Sequence, residues 1–129
     1  MASDIDIVDA LVISGRAKIL TLNVGEVLIG EGEQAHGLYI VKGGLLRIES
    51  GTVIYETVTT GGIVGEMAII NEGMPRSASV IARTQAEVVE IDRATFLSLV
   101  SDRPHFALTV MRVMSRRLRR MNRRYRLAD

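Results

Sequence analysis

Glycine punctuation is what most limits how this chain can fold. Between about Ala17 and Ile91 the apolar runs are short, and they break at Gly25, Gly30–Gly32, Gly43-Gly44, Ser50-Gly51 and Gly61-Gly62. Glycine reaches positive φ without a steric cost, so each break can turn the chain. The pieces between breaks read as strands: Ala17–Asn23, Glu26–Ile29, Gly37–Lys42, Leu45–Glu49, Val53–Val58, Ser79–Ala82 and Ala86–Ile91. Within one of them Leu38, Ile40 and Lys42 alternate with Tyr39 and Val41, the pattern of a half-buried sheet. Short strands at this density predict a small barrel or jelly roll rather than an α/β layer sandwich.

From Asp92 the period changes. Asp92 is placed to cap a helix running to about Ser101, with Phe96, Leu97 and Val100 on one face. After the break at Ser101–Pro104, with Asp102 as expected N-cap, a final helix is predicted over about Pro104–Arg126. Its Ala107, Met111, Met114, Leu118, Met121 and Tyr125 recur at heptad a and d spacing. Two readings follow: a helix packed on its own β body, or a parallel two-helix dimer seam. The whole chain of 129 residues fits one domain, a roll over about 17–91 with C-terminal helices over about 92–126.

The formal net charge of +1 hides an uneven distribution. Residues 1–102 carry seven Lys and Arg against 14 Asp and Glu, whereas residues 103–129 carry nine Arg against Asp129 alone. An acidic body therefore precedes a basic helix. Solvated charge, a nucleic acid and an acidic partner protein are all open readings of that helix, although the interleaved aromatics of single-strand binders are missing. With Met111 at position a, Arg117 and Arg124 fall at g opposite Ser115 and Asn122 at e, so a parallel homodimer gains no interhelical salt bridges there.

Other classes find no footing. No cysteine is present, which excludes disulfides, thiolate metal sites and a cysteine nucleophile. The two histidines, His36 and His105, show no metal-binding spacing, and Gly61-Gly62-Ile63-Val64-Gly65 lacks the Gly-Lys-Ser/Thr of a Walker loop. Asp4, Asp6 and Asp9 give the N-terminus the wrong charge for a signal or transit peptide. No apolar run approaches the roughly 20 residues that span a bilayer. A cytoplasmic, non-enzymatic, membrane-free protein is expected.

The chemistry concentrates in Gly61–Ala82. Gly65 follows the strand end Ile63-Val64, Glu66 opens a short apolar turn over Met67–Ile70, and a polar loop leads to Arg76-Ser77-Ala78. Small residues beside an arginine fork let backbone N–H groups approach an anion, phosphate being a good match. A carboxylate nearby suits a hydroxyl donor such as a sugar. The same residues also fit an ordinary Glu–Arg ion pair.

This stretch resembles the phosphate-binding cassette of the cyclic nucleotide-binding domain family, in which Gly-Glu-Leu/Met-Ala/Ser is followed, after a short loop, by Arg-Ser/Thr/Ala-Ala. Gly65-Glu66-Met67-Ala68 and Arg76-Ser77-Ala78 fit it at the family's spacing. Gly25-Glu26, Glu31-Gly32-Glu33 and Leu38–Gly43 look like the family's early β-roll signature, and the likeness extends over about Ala17 to Asn122.

The resemblance implies an eight-stranded β-roll flanked by helices, with the final helix folding over the base of a bound nucleotide. Arg76 would pair with the cyclic phosphate, and Glu66 would accept from the ribose 2′-OH. Ser77 and Ala78 would complete the phosphate cradle, with Gly65, Met67 and Ala68 lining the ribose phosphate by their backbones. Met121 and Asn122 fall where relatives of the catabolite activator type contact the base. Ser77 in place of Thr points to cAMP rather than cGMP as ligand, with no further cofactor and no metal. Such relatives continue into a DNA-reading module, and others carry a kinase or channel. Here none follows Asp129, which predicts a sensor module acting on a separate effector or within a larger assembly, with a homodimer through the final helix. The rival reading is a ligand-independent roll that dimerises or binds nucleic acid through its arginine helix.

Overall fold

The computed structural model describes residues 4–34, 36–71 and 75–128. In chain order these form α1 (Asp4–Ile13), β1 (Lys18–Leu22), β2 (Val27–Ile29), β3 (Gly37–Gly43), β4 (Leu46–Ser50), β5 (Val53–Val58), β6 (Ile63–Val64), α2 (Met67–Ile70), β7 (Ser79–Ala82), β8 (Ala86–Asp92), α3 (Arg93–Asp102) and α4 (His105–Ala128). The strands make two four-stranded antiparallel sheets, ordered β1-β8-β3-β6 and β2-β7-β4-β5. The first strand pairs with the last, Leu22 opposite Ala86 and Lys18 opposite Glu90, which closes the roll. This is the mainly β architecture with flanking helices that the glycine punctuation predicts.

Two cores share the first sheet. Leu38, Ile40, Ile63, Val89 and Ile91 face a cluster built with Val8, Leu11, Phe96, Leu99, Phe106 and Val110 from the helices. Val41, Val64, Ala86 and Val88 face the roll interior, with Leu46, Val58, Val80 and Ala82 of the other sheet. Strand β3 is therefore buried on both faces, not half-buried as its alternation suggests. The helices supply the second cover. Full burial of one such side chain is worth about 1.5–3 kcal/mol, so the helical layer is part of the fold's stability.

The helices add what the strand pattern leaves open, and one expectation is corrected. The N-terminal segment is helical, with Val8 and Leu11 at helical spacing in the helix-side core. Asp102 does not cap α4; it belongs to the last turn of α3, which closes with the Arg103 N–H on the Leu99 carbonyl at 2.8 Å. Asp92 does cap α3, accepting from the Thr95 N–H at 2.7 Å. Finally, α4 packs through Phe106, Val110 and Val113, with Phe96 and Phe106 ring centroids 5.7 Å apart. The heptad positions Met111 and Leu118 remain exposed.

Candidate functional site

The site begins at a glycine where any side chain would be strained and crowded. Gly65 ends β6 at φ +77°, and a Cβ there would lie 2.9 Å from Arg76 Nη1 and 3.1 Å from Ile29 Cδ1. Its bare backbone instead accepts from Arg76 Nη1 at 3.0 Å, while Arg76 Nη2 donates to the Gly37 carbonyl at 2.8 Å. The main chain of Arg76 is held by the loop after β2: its N–H donates to Glu33 at 2.7 Å, and its carbonyl accepts from the Gly32 N–H at 2.9 Å. The guanidinium is thus oriented by neutral groups, and among the described residues no carboxylate forms an ion pair with it. Burial holds its pKa below the usual arginine range, yet arginine keeps its proton in proteins. What results is a fixed, partly desolvated positive charge that Glu66 and Glu33 influence from nearby without pairing to it.

Glu66, the buried acid of the same segment, turns elsewhere. One of its oxygens accepts from Arg117 Nη1 at 2.7 Å. Arg117 also donates through Nε at 3.2 Å and Nη2 at 3.0 Å to Glu56 of β5, and through Nη2 to the Ile63 carbonyl. Arg120 Nη1 lies 2.5 Å from the other Glu56 oxygen. Burial alone would lower the Arg117 pKa, but the hydrogen bonds and charges of Glu56 and Glu66 outweigh it and raise the value. The expected proximity of Glu66 and Arg76 holds only as neighbours around one space; the ion pair that forms is with the helix.

That space is a cavity of about 700 Å³ between cassette, roll and α4. All seven cassette positions, Gly65, Glu66, Met67, Ala68, Arg76, Ser77 and Ala78, line it. Ile29, Ile48 and Val80 supply an apolar wall, and α4 contributes Met114, Ser115, Arg117, Leu118 and Arg120. An anion would meet Arg76, a hydroxyl would find the second oxygen of Glu66, and a flat apolar group would lie against the hydrophobic wall.

The base-side positions differ from the sequence expectation in placement. The α4 residues at the cavity lie N-terminal to Met121 and Asn122; Asn122 is exposed, and the Met121 side chain lies outside the described residues. Sequence reasoning also missed Glu56 and Arg117. A signal existed: Phe106, Val110 and Val113 mark the body-facing stripe at i, i+4, i+7, and i+11 on that stripe is Arg117. A charge there demands an acid across from it. Among the described residues no three His, Asp or Glu side chains gather as metal ligands, and no helix is long and apolar enough to cross a membrane.

Residues 19–103 match the cyclic nucleotide-binding domain family. The chain belongs to that family, one of regulatory sensor domains. It is 38% identical over 96 residues to the cAMP-activated global transcriptional regulator CRP of Salmonella typhimurium, an alignment covering 70% of this chain and 46% of the regulator. Its fold superimposes on the c-di-GMP responsive global regulator CLP of Xanthomonas campestris with a TM-score of 0.79 at 24% identity, covering 90% of this chain and 61% of that one. The catabolite activator protein of Thermus thermophilus gives 0.78 at 23% identity, covering 95% and 59%. The chain spans less than half the length of the curated relatives it matches.

Proposed function

We propose that this chain is a single, non-enzymatic cyclic nucleotide sensor domain, with cAMP as its ligand and the cytoplasm as its compartment. The observation that carries the reading is Arg76: a partly buried guanidinium held by two backbone carbonyls, lining a cavity whose described carboxylates, Glu56 and Glu66, pair with Arg117 and Arg120 instead. The phosphodiester of a cyclic nucleotide supplies the missing charge. Ser77 and Ala78 complete the cradle beside it, and Gly65, Met67 and Ala68 bound the ribose phosphate. The free oxygen of Glu66 accepts the ribose 2′-OH, and Ser77 in place of Thr favours adenine over guanine. The base reaches towards α4, where Met114, Ser115 and Leu118 line the cavity.

A charge-assisted hydrogen bond contributes about 1.5–3 kcal/mol, and micromolar affinity needs about 8 kcal/mol, so Arg76, Glu66 and base burial together reach that range. Ribose binding adds a hydrogen bond to Glu66, the carboxylate that also holds Arg117, and Arg117 belongs to α4. Ligand therefore shifts the population of helix positions through that contact. The moved helix, and a homodimer formed along its exposed Met111 and Leu118, would present the signal to an effector protein. Calorimetry with cAMP, cGMP and their 2′-deoxy forms tests the reading. Saturable cAMP binding is expected, and no binding by any cyclic nucleotide overturns it in favour of a ligand-independent scaffold.

A further inference from the structure

Three guanidiniums line the cavity, and their states differ. Arg76 is bound to neutral carbonyls. Arg117 is bracketed by Glu56 and Glu66, and Arg120 is held by Glu56. With these two carboxylates the only other charged residues of the lining among the described residues, those groups carry one unit of surplus positive charge, located at Arg76. Glu56 is the residue that produces this surplus of one, because it occupies both helix arginines with a single carboxylate. No cassette position requires an acid there, and its side chain is 13% exposed.

Volume does not restrict the ligand to one nucleotide. Sites for small organic ligands span roughly 300–1,000 Å³, and this cavity is about 700 Å³. Charge does. A cyclic mononucleotide brings one phosphodiester and matches the single uncompensated cation. A cyclic dinucleotide brings two, and its second phosphate would face either the Glu56 carboxylate or an arginine already committed to it. Extracting Arg117 means breaking a largely buried ion pair, a costly step, whereas turning the half-exposed Arg120 away leaves the Glu56 carboxylate with Arg117 alone and still facing the second phosphate.

We infer that Glu56 sets the phosphate capacity of the pocket at one and is the residue that excludes cyclic dinucleotides. This rests on the reading of Arg76 as the phosphate site. Neutralising Glu56 releases Arg120 wholly and Arg117 in part, which leaves Arg117 on Glu66 and supplies a second free guanidinium on the α4 side of the same cavity.

The test is calorimetry on the full chain with 3′,5′-cyclic AMP and cyclic di-AMP, using wild type, Glu56→Gln and Glu56→Gln/Arg120→Gln. Wild type is expected to prefer the mononucleotide at least tenfold. Glu56→Gln should narrow that preference at least fivefold, by gained dinucleotide affinity, and the double variant should restore it. Equal affinities in wild type, or an unchanged ratio in Glu56→Gln, overturns the inference while leaving the Arg76 reading intact. Should Glu56→Gln fail to fold by circular dichroism, Glu56→Ser, neutral as well and smaller, takes its place in both comparisons with the same expected and overturning results. Binding of neither ligand, or mononucleotide binding that Arg76→Ala leaves unaltered, overturns the underlying reading and the inference with it.

Discussion

Arg117 Nη1 lies 2.7 Å from a carboxylate oxygen of Glu66, joining residues 51 positions apart in the chain. The contact ties the cassette, placed by β6 and the turn at Gly65, to the long C-terminal helix. It leaves Arg76, the arginine nearest to Glu66 in sequence, without an acidic partner. One ion pair thus accounts both for an open anion site and for a mechanical link from that site to α4.

The link should be visible in stability. Arg117 and the carboxylates of Glu56 and Glu66 are 17%, 13% and 8% exposed, so removing the cation strands Glu66 away from water and leaves Glu56 to the half-exposed Arg120 alone. Breaking a buried pair from one side costs about 3–5 kcal/mol, and residual exposure places this case near the lower end. Arg117→Met is expected to lose about 3 kcal/mol in urea unfolding near pH 7. The triple variant Arg117→Met, Glu56→Gln, Glu66→Gln should recover most of it. A loss under about 0.5 kcal/mol, the range of ordinary surface substitutions, would show that water compensates the carboxylates.

Arg76→Ala separates binding from folding. The side chain bonds to two backbone carbonyls and to no structural acid, so its loss should leave the circular dichroism spectrum unchanged. Cyclic nucleotide affinity should fall at least tenfold, as expected when a charge-assisted contact of about 1.5–3 kcal/mol is removed. Unchanged affinity by calorimetry would sink the assignment of the phosphate.

Glu66→Gln probes the sugar. Its carboxylate accepts from Arg117 through one oxygen, and the residue lines the cavity. The variant should bind cAMP about tenfold more weakly than wild type, while affinity for 2′-deoxy-cAMP should change far less, because that ligand never made the contact. A parallel fall for both ligands would assign Glu66 to holding α4 instead of reading the ribose.

Much of this was legible in the residues, and the exceptions share a cause. Glycine breaks located the strands because positive φ is a local requirement, and Val53–Val58 and Ser79–Ala82 coincide with β5 and β7. Asp92 was legible as a cap because its partner, Thr95, lies three residues away. The cassette positions were legible as an ordered motif, and all of them line one cavity. What sequence did not yield was pairing at long range: Glu56 with Arg117, or the helices over the outer face of β3. Alternation in Leu38–Val41 cannot report a second layer, because the cover comes from distant segments: α1 alone brings Val8 and Leu11 to this face and Asp9 to Lys42 at 2.6 Å. On α4 the heptad stripe through Met111 and the body-facing stripe through Phe106 coexist, and only the fold distinguishes which one the roll covers.

The uncovered stripe makes its own prediction. Met111 is 59% exposed and contributes nothing to the packing of α4 on the roll. Met111→Glu should therefore change unfolding free energy by no more than about 0.5 kcal/mol. Placed at an a or d position, the same charge should abolish a helix-mediated dimer. Sedimentation equilibrium is expected to show a concentration-dependent dimer for wild type and a monomer for the variant. A wild-type monomer across the whole range would remove the homodimer from the mechanism.

Acid titration isolates the cap at the entrance to α3. The Thr95 backbone N–H, with its side chain, holds the Asp92 carboxyl below its ordinary value. A carboxyl depressed in the folded state contributes stability above its unfolded pKa of about 3.9, and that contribution is lost as pH falls through the folded value. Asp92→Ala should cost about 1 kcal/mol near neutral pH, the usual loss for a removed N-cap. Because wild type alone titrates there, the gap between the two proteins should stay constant above about pH 5 and close as pH falls through and below about 4. Urea midpoints measured across that range give the comparison. A gap that persists undiminished at the acid end would mean that Asp92 caps α3 equally well when protonated, and that its charge adds nothing to the helix.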